Sequence, residues 1–171
     1  QWVEGNYYRK LGKERTVKNF PIPANKGNVY SADGSLLATS IPEYTIYFDA
    51  VAPTPELFKE NVQGLSDSLS VMFGKSSGHY QAKLQKARAN KSRYVFIAKK
   101  LSYTEQMRLK TFPMFNKGAN KGGLIIEQKI VREHPIGLVA KRTIGYERSN
   151  EDGKGLEYAF RDYLNGKNGH R

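Results

Sequence analysis

Apolar residues change their spacing several times along the chain, and each change marks an element. Tyr44-Thr45-Ile46-Tyr47-Phe48-Asp49 alternates and is rich in aromatic and β-branched residues, which predicts a strand. Beyond it, Leu57, Phe58, Val62, Leu65, Leu69, Met72 and Phe73 recur at helical spacing. Thr54-Pro55-Glu56 opens that helix with a capping hydroxyl, a proline at the first helical position and an acid in the first turn. Gly74 stops it. Ser77 is expected to cap a second helix from about His79 to Asn90, with Lys83, Lys86 and Arg88 on its outward face. Tyr94-Val95-Phe96-Ile97-Ala98 predicts a buried strand. Ser102 and Glu105 form a capping box for a third helix that ends before Pro113. Residues 116–123, rich in Gly, Asn and Lys, predict a mobile loop. From Leu124 to Arg132 the chain alternates again as a long strand, and Leu156 to Leu164 predicts the last helix.

The opening of the chain is organised by residues 25–40. Asp33-Gly34 is a two-residue hairpin signal, with Asn28-Val29-Tyr30 leading in and Ser35-Leu36-Leu37-Ala38 returning. Gly27 is expected where a side chain would obstruct close backbone approach or where φ is positive. Phe20-Pro21-Ile22-Pro23 is an extended lead, and Ile41-Pro42 is expected to end the hairpin region. Before it, Trp2, Tyr7, Tyr8 and Leu11 lie among basic residues; this suits either a membrane interface or a frayed amphipathic end. The element order predicts an α+β fold, with a helix-and-strand lobe over about residues 50–122 and flanking strands from both ends.

The net charge of +12 is unevenly spread. Residues 31–74 hold six acids and one base, whereas residues 75–110 hold ten bases and one acid. Such a basic stretch suits an acidic partner, an anionic membrane surface or nucleic acid. A basic nucleic-acid-binding domain is therefore the alternative reading, although no zinc-finger spacing or RNP-like aromatic box accompanies the charge. The chain has no cysteine, which excludes disulfides and thiol chemistry. It contains no transmembrane run. It opens at Gln1-Trp2 without Met, and the expectation is a segment of a longer protein.

Two widely separated clusters carry a resemblance. Lys26-Gly27 and Asp33-Gly34 with Leu37-Ala38 form the first. The second is Arg132-Glu133-His134-Pro135-Ile136-Gly137, then Arg142-Thr143-Ile144-Gly145-Tyr146, then Gly153-Lys154-Gly155-Leu156-Glu157 before Leu164-Asn165-Gly166-Lys167-Asn168-Gly169. In this order they resemble the N-terminal pedestal, or dimerisation, domain of class B penicillin-binding proteins. The wording around Gly145 and Glu157 looks most like the division-specific, FtsI-like branch; an elongation-type pedestal is the alternative within the family. Lys26 stands where the family usually has Arg, and His134 where it usually has Tyr.

The resemblance implies one elongated pedestal domain over residues 1–171. Residues 1–24 would be a membrane-proximal lead, residues 25–49 and 123–171 a stalk of extended strands, and residues 50–122 a head lobe. It implies a non-catalytic positioning module in septal peptidoglycan synthesis, on the periplasmic side of the inner membrane and held there by one upstream helix. Implied partners are an FtsW-like glycan polymerase, other division proteins and, possible under the name dimerisation domain, a second copy. A transpeptidase domain would follow downstream. The interaction motif would comprise Lys26, Gly27, Asp33, Gly34, Arg132, Pro135, Gly137, Arg142, Gly145, Gly155 and Glu157.

Catalytic chemistry is missing from this stretch. A penicillin-sensitive site needs Ser-x-x-Lys, and none of the eleven serines has Lys three residues later. His79, His134 and His170 have no metal-ligand spacing, and Gly153-Lys154-Gly155 lacks the phosphate-loop pattern, so no metal or cofactor is expected. Glu157 stands out. It falls in the first turn of the last predicted helix, where it either complements the helix dipole or pairs with Lys26, Arg132 or Arg142.

Overall fold

The structure, a computed structural model, describes residues 21–22, 24–137, 140–149 and 152–170. The amphipathic segment expected before residue 20 lies outside these. The elements are, in order, β1 (Pro21–Ile22), β2 (Val29–Tyr30), β3 (Leu36–Phe48), α1 (Pro55–Phe73), α2 (Ser77–Ala89), β4 (Val95–Leu101) and α3 (Tyr103–Leu109). A 3-10 turn (Phe115–Lys117) leads into α4 (Gly118–Gly122) and β5 (Leu124–Glu133). The chain ends with α5 (Lys141–Ile144), β6 (Tyr146–Ser149), β7 (Asp152–Lys154), α6 (Gly155–Ala159), α7 (Arg161–Leu164) and β8 (Gly169–His170). Mixed helix and sheet confirm the α+β class.

The described residues divide into two compact units. Residues up to Ser40 and from Arg132 onward form a terminal unit, and Ile41–Val131 form a middle unit. Divisions were expected near residues 49 and 123. They fall instead at Ser40/Ile41, inside β3, and at Val131/Arg132, inside β5. Ile41-Pro42 does not end a strand: β3 continues through it for 13 residues.

In the middle unit, β3 and β4 pair antiparallel, with Tyr44 opposite Leu101, Tyr47 opposite Phe96 and Phe48 opposite Val95. Tyr44, Ile46 and Phe48 share one face and are buried. Against them pack Phe58, Val62, Leu65 and Leu69 of α1, Tyr80 and Leu84 of α2, and Leu109 of α3. The helix ends follow from local chemistry. The Thr54 hydroxyl accepts from the Leu57 amide at 3.3 Å, and Gly74 closes α1 at φ 74°. The capping box of α3 forms as expected, and its hydrogen bonds hold the Glu105 carboxyl below the usual carboxylate range.

Several expectations change in this unit. Ser76, not Ser77, caps α2, its hydroxyl accepting from the His79 amide. Arg88 does not face outward: its guanidinium donates to the Pro53 carbonyl at 2.8 Å and to the Ala50 carbonyl. The strand expected at 94–98 is only partly buried, because Tyr94 and Phe96 point away from the core. The segment expected as a loop at 116–123 is instead the 3-10 turn and α4, anchored by buried Met114 and Phe115. The last helix is two short ones, broken at Phe160.

Leu65 is fully buried in this core, so Leu65→Ala should cost about 2–5 kcal/mol in urea unfolding. Val71, 76% exposed on the same helix, should tolerate Ala within about 0.5 kcal/mol.

Candidate functional site

The terminal unit is built around four charged side chains drawn from four separate stretches. Lys26 precedes β2, Arg132 lies near the end of β5, Glu147 is on β6 and Glu157 is on α6. The Glu157 side chain is 2% exposed and that of Glu147 is 5% exposed. One oxygen of Glu157 accepts from Arg132 Nε at 2.8 Å and lies 2.6 Å from Arg132 Nη2. Its other oxygen accepts from Lys26 Nζ at 3.4 Å. Lys26 also donates to Glu147, whose carboxylate takes two further 3.3 Å bonds from the Asn165 amide. These two cations and two carboxylates form a chain of ion pairs, Glu147–Lys26–Glu157–Arg132, and the Arg161 charge also acts on Glu147. The Lys26 bond is the main reason that Glu147 titrates below the usual carboxylate range; burial opposes it and Asn165 assists.

Arg132 extends the cluster to the backbone. Its Nη1 donates to the Gly27 carbonyl at 2.8 Å and to Ser40 Oγ at 3.1 Å. The Gly27 amide donates to the Leu164 carbonyl at 2.8 Å. One guanidinium therefore ties α6, the segment before β2 and β3 together, which a lysine ammonium lacks the fork to do. Antiparallel pairing of β1 with β8 adds a second join between the two ends.

Two glycines bring the carboxylates into place. Gly145 precedes β6 at φ 71°, and a Cβ there would lie 1.8 Å from the Lys154 carbonyl oxygen. Gly155 follows β7 at φ 73°, and a Cβ there would lie 2.5 Å from the Thr143 carbonyl oxygen. The chain crosses itself where only glycine fits. Tyr146 then pairs with Lys154, and Glu147 with Gly153. Each carboxylate stands two residues after a crossing glycine.

The remaining motif positions lie elsewhere or act differently. Asp33 and Gly34 make the turn before β3: the Asp33 carboxylate accepts from the Ser31 hydroxyl and the Ser35 amide, which keep its pKa low, and Gly34 has φ 84°. Pro135 and Gly137 occupy an exposed turn closed by the Gly137 amide on the His134 carbonyl. Arg142 is exposed on α5 and is not among the partners of Glu157. The expectation for Gly27 fails on both counts. Its φ is not positive, and a Cβ would meet the Leu164 carbonyl at an ordinary 3.7 Å. Glu147 and Asn165 were not singled out, although the repeated Gly-x-Glu at 145–147 and 155–157 marks both carboxylates alike.

Among the described residues no group of three or more His, Cys, Asp or Glu could hold a metal ion. No helix there is long and apolar enough to cross a membrane. The cluster is arranged to hold chain segments together.

The model of the penicillin-binding protein dimerisation domain matches residues 21–171. The chain belongs to that family. Over 99% of its length it is 25% identical to proteins named probable peptidoglycan D,D-transpeptidase PenA, from Neisseria meningitidis serogroup A and from Neisseria gonorrhoeae. It covers 27% of each of these relatives, so it spans about a quarter of their length. The crystal structure of penicillin-binding protein 2X from Streptococcus thermophilus shares the fold, with a TM-score of 0.67 at 22% identity, over 90% of this chain and 24% of that one. The family match is to a dimerisation domain, and it lends no support to the nucleic-acid alternative.

Glu157→Gln should lower stability by about 3 kcal/mol in urea unfolding, because it leaves Arg132 and Lys26 short of a buried counter-charge. Glu133→Gln, at an exposed site one residue from Arg132, should stay within about 0.5 kcal/mol. The lowered pKa of Glu147 adds stability above its usual value near 4.5, lost as pH falls through the depressed folded value. Melting curves below pH 4.5 should accordingly fall less steeply for Lys26→Met than for the unaltered chain. Gly155→Ala should cost at least about 1–3 kcal/mol, since the added methyl meets backbone and not a movable side chain.

Proposed function

We propose that this chain is the non-catalytic positioning module of a class B penicillin-binding protein acting in septal peptidoglycan synthesis. The observation that carries the reading is the dimerisation-domain match over residues 21–171, joined to relatives named as peptidoglycan transpeptidases. On this reading the parent protein is a periplasmic, membrane-anchored D,D-transpeptidase of the FtsI-like branch, and its catalytic serine lies outside these residues. The charge cluster of Lys26, Arg132, Glu147 and Glu157 gives the module a fixed frame, the property that positioning requires. The terminal unit also presents a recess of about 290 Å³ lined by Val29, Tyr30, Leu156, Phe160, Tyr163 and Leu164. Tyr30, Phe160 and Tyr163 are 57%, 52% and 88% exposed, and clustered exposed aromatics mark interaction surfaces. An FtsW-like glycan polymerase is the partner assigned to this module.

Two measurements test the reading together. A labelled penicillin should acylate the full-length gene product and leave the 171-residue chain unmodified. The full-length protein should co-purify with the polymerase from detergent-solubilised membranes, and Phe160→Ser with Tyr163→Ser should abolish this while penicillin labelling persists. Acylation of the 171-residue chain, or a full-length product that penicillin never labels, would overturn the assignment.

A further inference from the structure

The middle unit turns an ordered array of aromatic rings away from its core. Tyr44, Ile46 and Phe48 face the core from β3, so Tyr47 between them faces the other way. Phe96 stands opposite it on β4. The Tyr94 ring stacks on Tyr47 with centroids 3.9 Å apart and planes 23° apart, and Phe96 meets Tyr47 edge-on at 6.0 Å. Tyr94 is 54% exposed and Phe96 43%. The array is held in place at both sides. The Tyr94 hydroxyl donates to Glu127 on β5, and Lys83 of α2 carries its ammonium to 5.6 Å from the Phe96 centroid.

Fixed, half-exposed rings bordered by an ammonium and a carboxylate match one ligand chemistry well. A pyranose ring has an apolar C–H face that stacks on an aromatic face and a rim of hydroxyls that needs hydrogen-bond partners. Lys83 can donate to that rim and Glu127 can accept from it. A purely apolar protein surface would take both charges out of water without new polar partners to replace it. Nucleic-acid bases also stack on such rings, which makes a nucleic acid the competing ligand in the test. The charge of the surrounding sequence adds to the selection. Residues 75–110 carry ten bases against one acid, which favours a polymer bearing carboxylates.

We propose that this face binds a strand of pyranose rings, with Tyr94 and Phe96 stacking on them. That the strand is carboxylate-bearing cell-wall glycan rests on the function proposed above. The site would let the module contact the polymer whose cross-linking is assigned to its parent.

The test uses the 171-residue chain, with Tyr94→Ser, Phe96→Ser and their combination. Binding is read by co-sedimentation with purified peptidoglycan sacculi and by calorimetric titration with a neutral N-acetylglucosamine oligomer. Oligothymidylate serves as the competing anion. The unaltered chain should bind both sugars, each substitution should weaken binding roughly tenfold, and each variant should still unfold cooperatively above the assay temperature. No binding to either sugar, equal binding by the double variant, or displacement by oligothymidylate would overturn the proposal. Titration with the neutral oligomer needs no carboxylate-bearing polymer, so it succeeds or fails whether or not the parent is a transpeptidase. Penicillin labelling of the full-length product decides that separately.

Discussion

The terminal unit depends on the almost fully buried carboxylate of Glu157. A buried anion without partners would not survive folding, so its presence dictates what surrounds it. Arg132 supplies a forked donor, Lys26 supplies the second cation, and Glu147 balances the charge that Lys26 brings. The remaining Arg132 donor then fixes the Gly27 carbonyl, which places the segment before β2. Residues 131 positions apart in sequence become neighbours by charge satisfaction, with little apolar area to help. Such a cluster adds less net stability than apolar packing of the same volume. Its strength is that alternative arrangements, which leave a buried charge unpaired, are far worse.

Glycine makes this arrangement possible. Gly145 and Gly155 let two backbone segments cross at distances that exclude a methyl group. The crossing sets β6 beside β7 and aims Glu147 and Glu157 at the same lysine.

Much of the middle unit was legible in the sequence because its signals are local. The Thr54-Pro55 start, the Ser102–Glu105 box and the alternation of β3 each act within a few residues. What was missed there depends on distant partners. Arg88 looked like an outward helix charge because nothing nearby reveals the Ala50 and Pro53 carbonyls that it reaches. The 116–123 segment looked like a loop because its glycines outweigh the buried Met114 and Phe115 that hold it. In the terminal unit, Lys26 and Arg132 were legible only through the family motifs, whereas Glu157 also stood out by its place in the first turn of a predicted helix. Glu147 belongs to a strand whose pairing needs the glycine crossing, which no hydrophobic period announces. Gly27 was expected to serve a close backbone approach or a positive φ, whereas its contribution is a carbonyl and an amide.

The central claim is that the charges act as one unit. A double-mutant cycle between Arg132→Met and Glu157→Gln tests it most directly, with unfolding free energies measured on all four proteins. The account predicts a coupling energy of at least about 1 kcal/mol, the double variant being less damaged than the sum of the two single changes. Additive effects, with coupling below about 0.3 kcal/mol, would contradict it and leave Glu157 as an independent charge at a helix end.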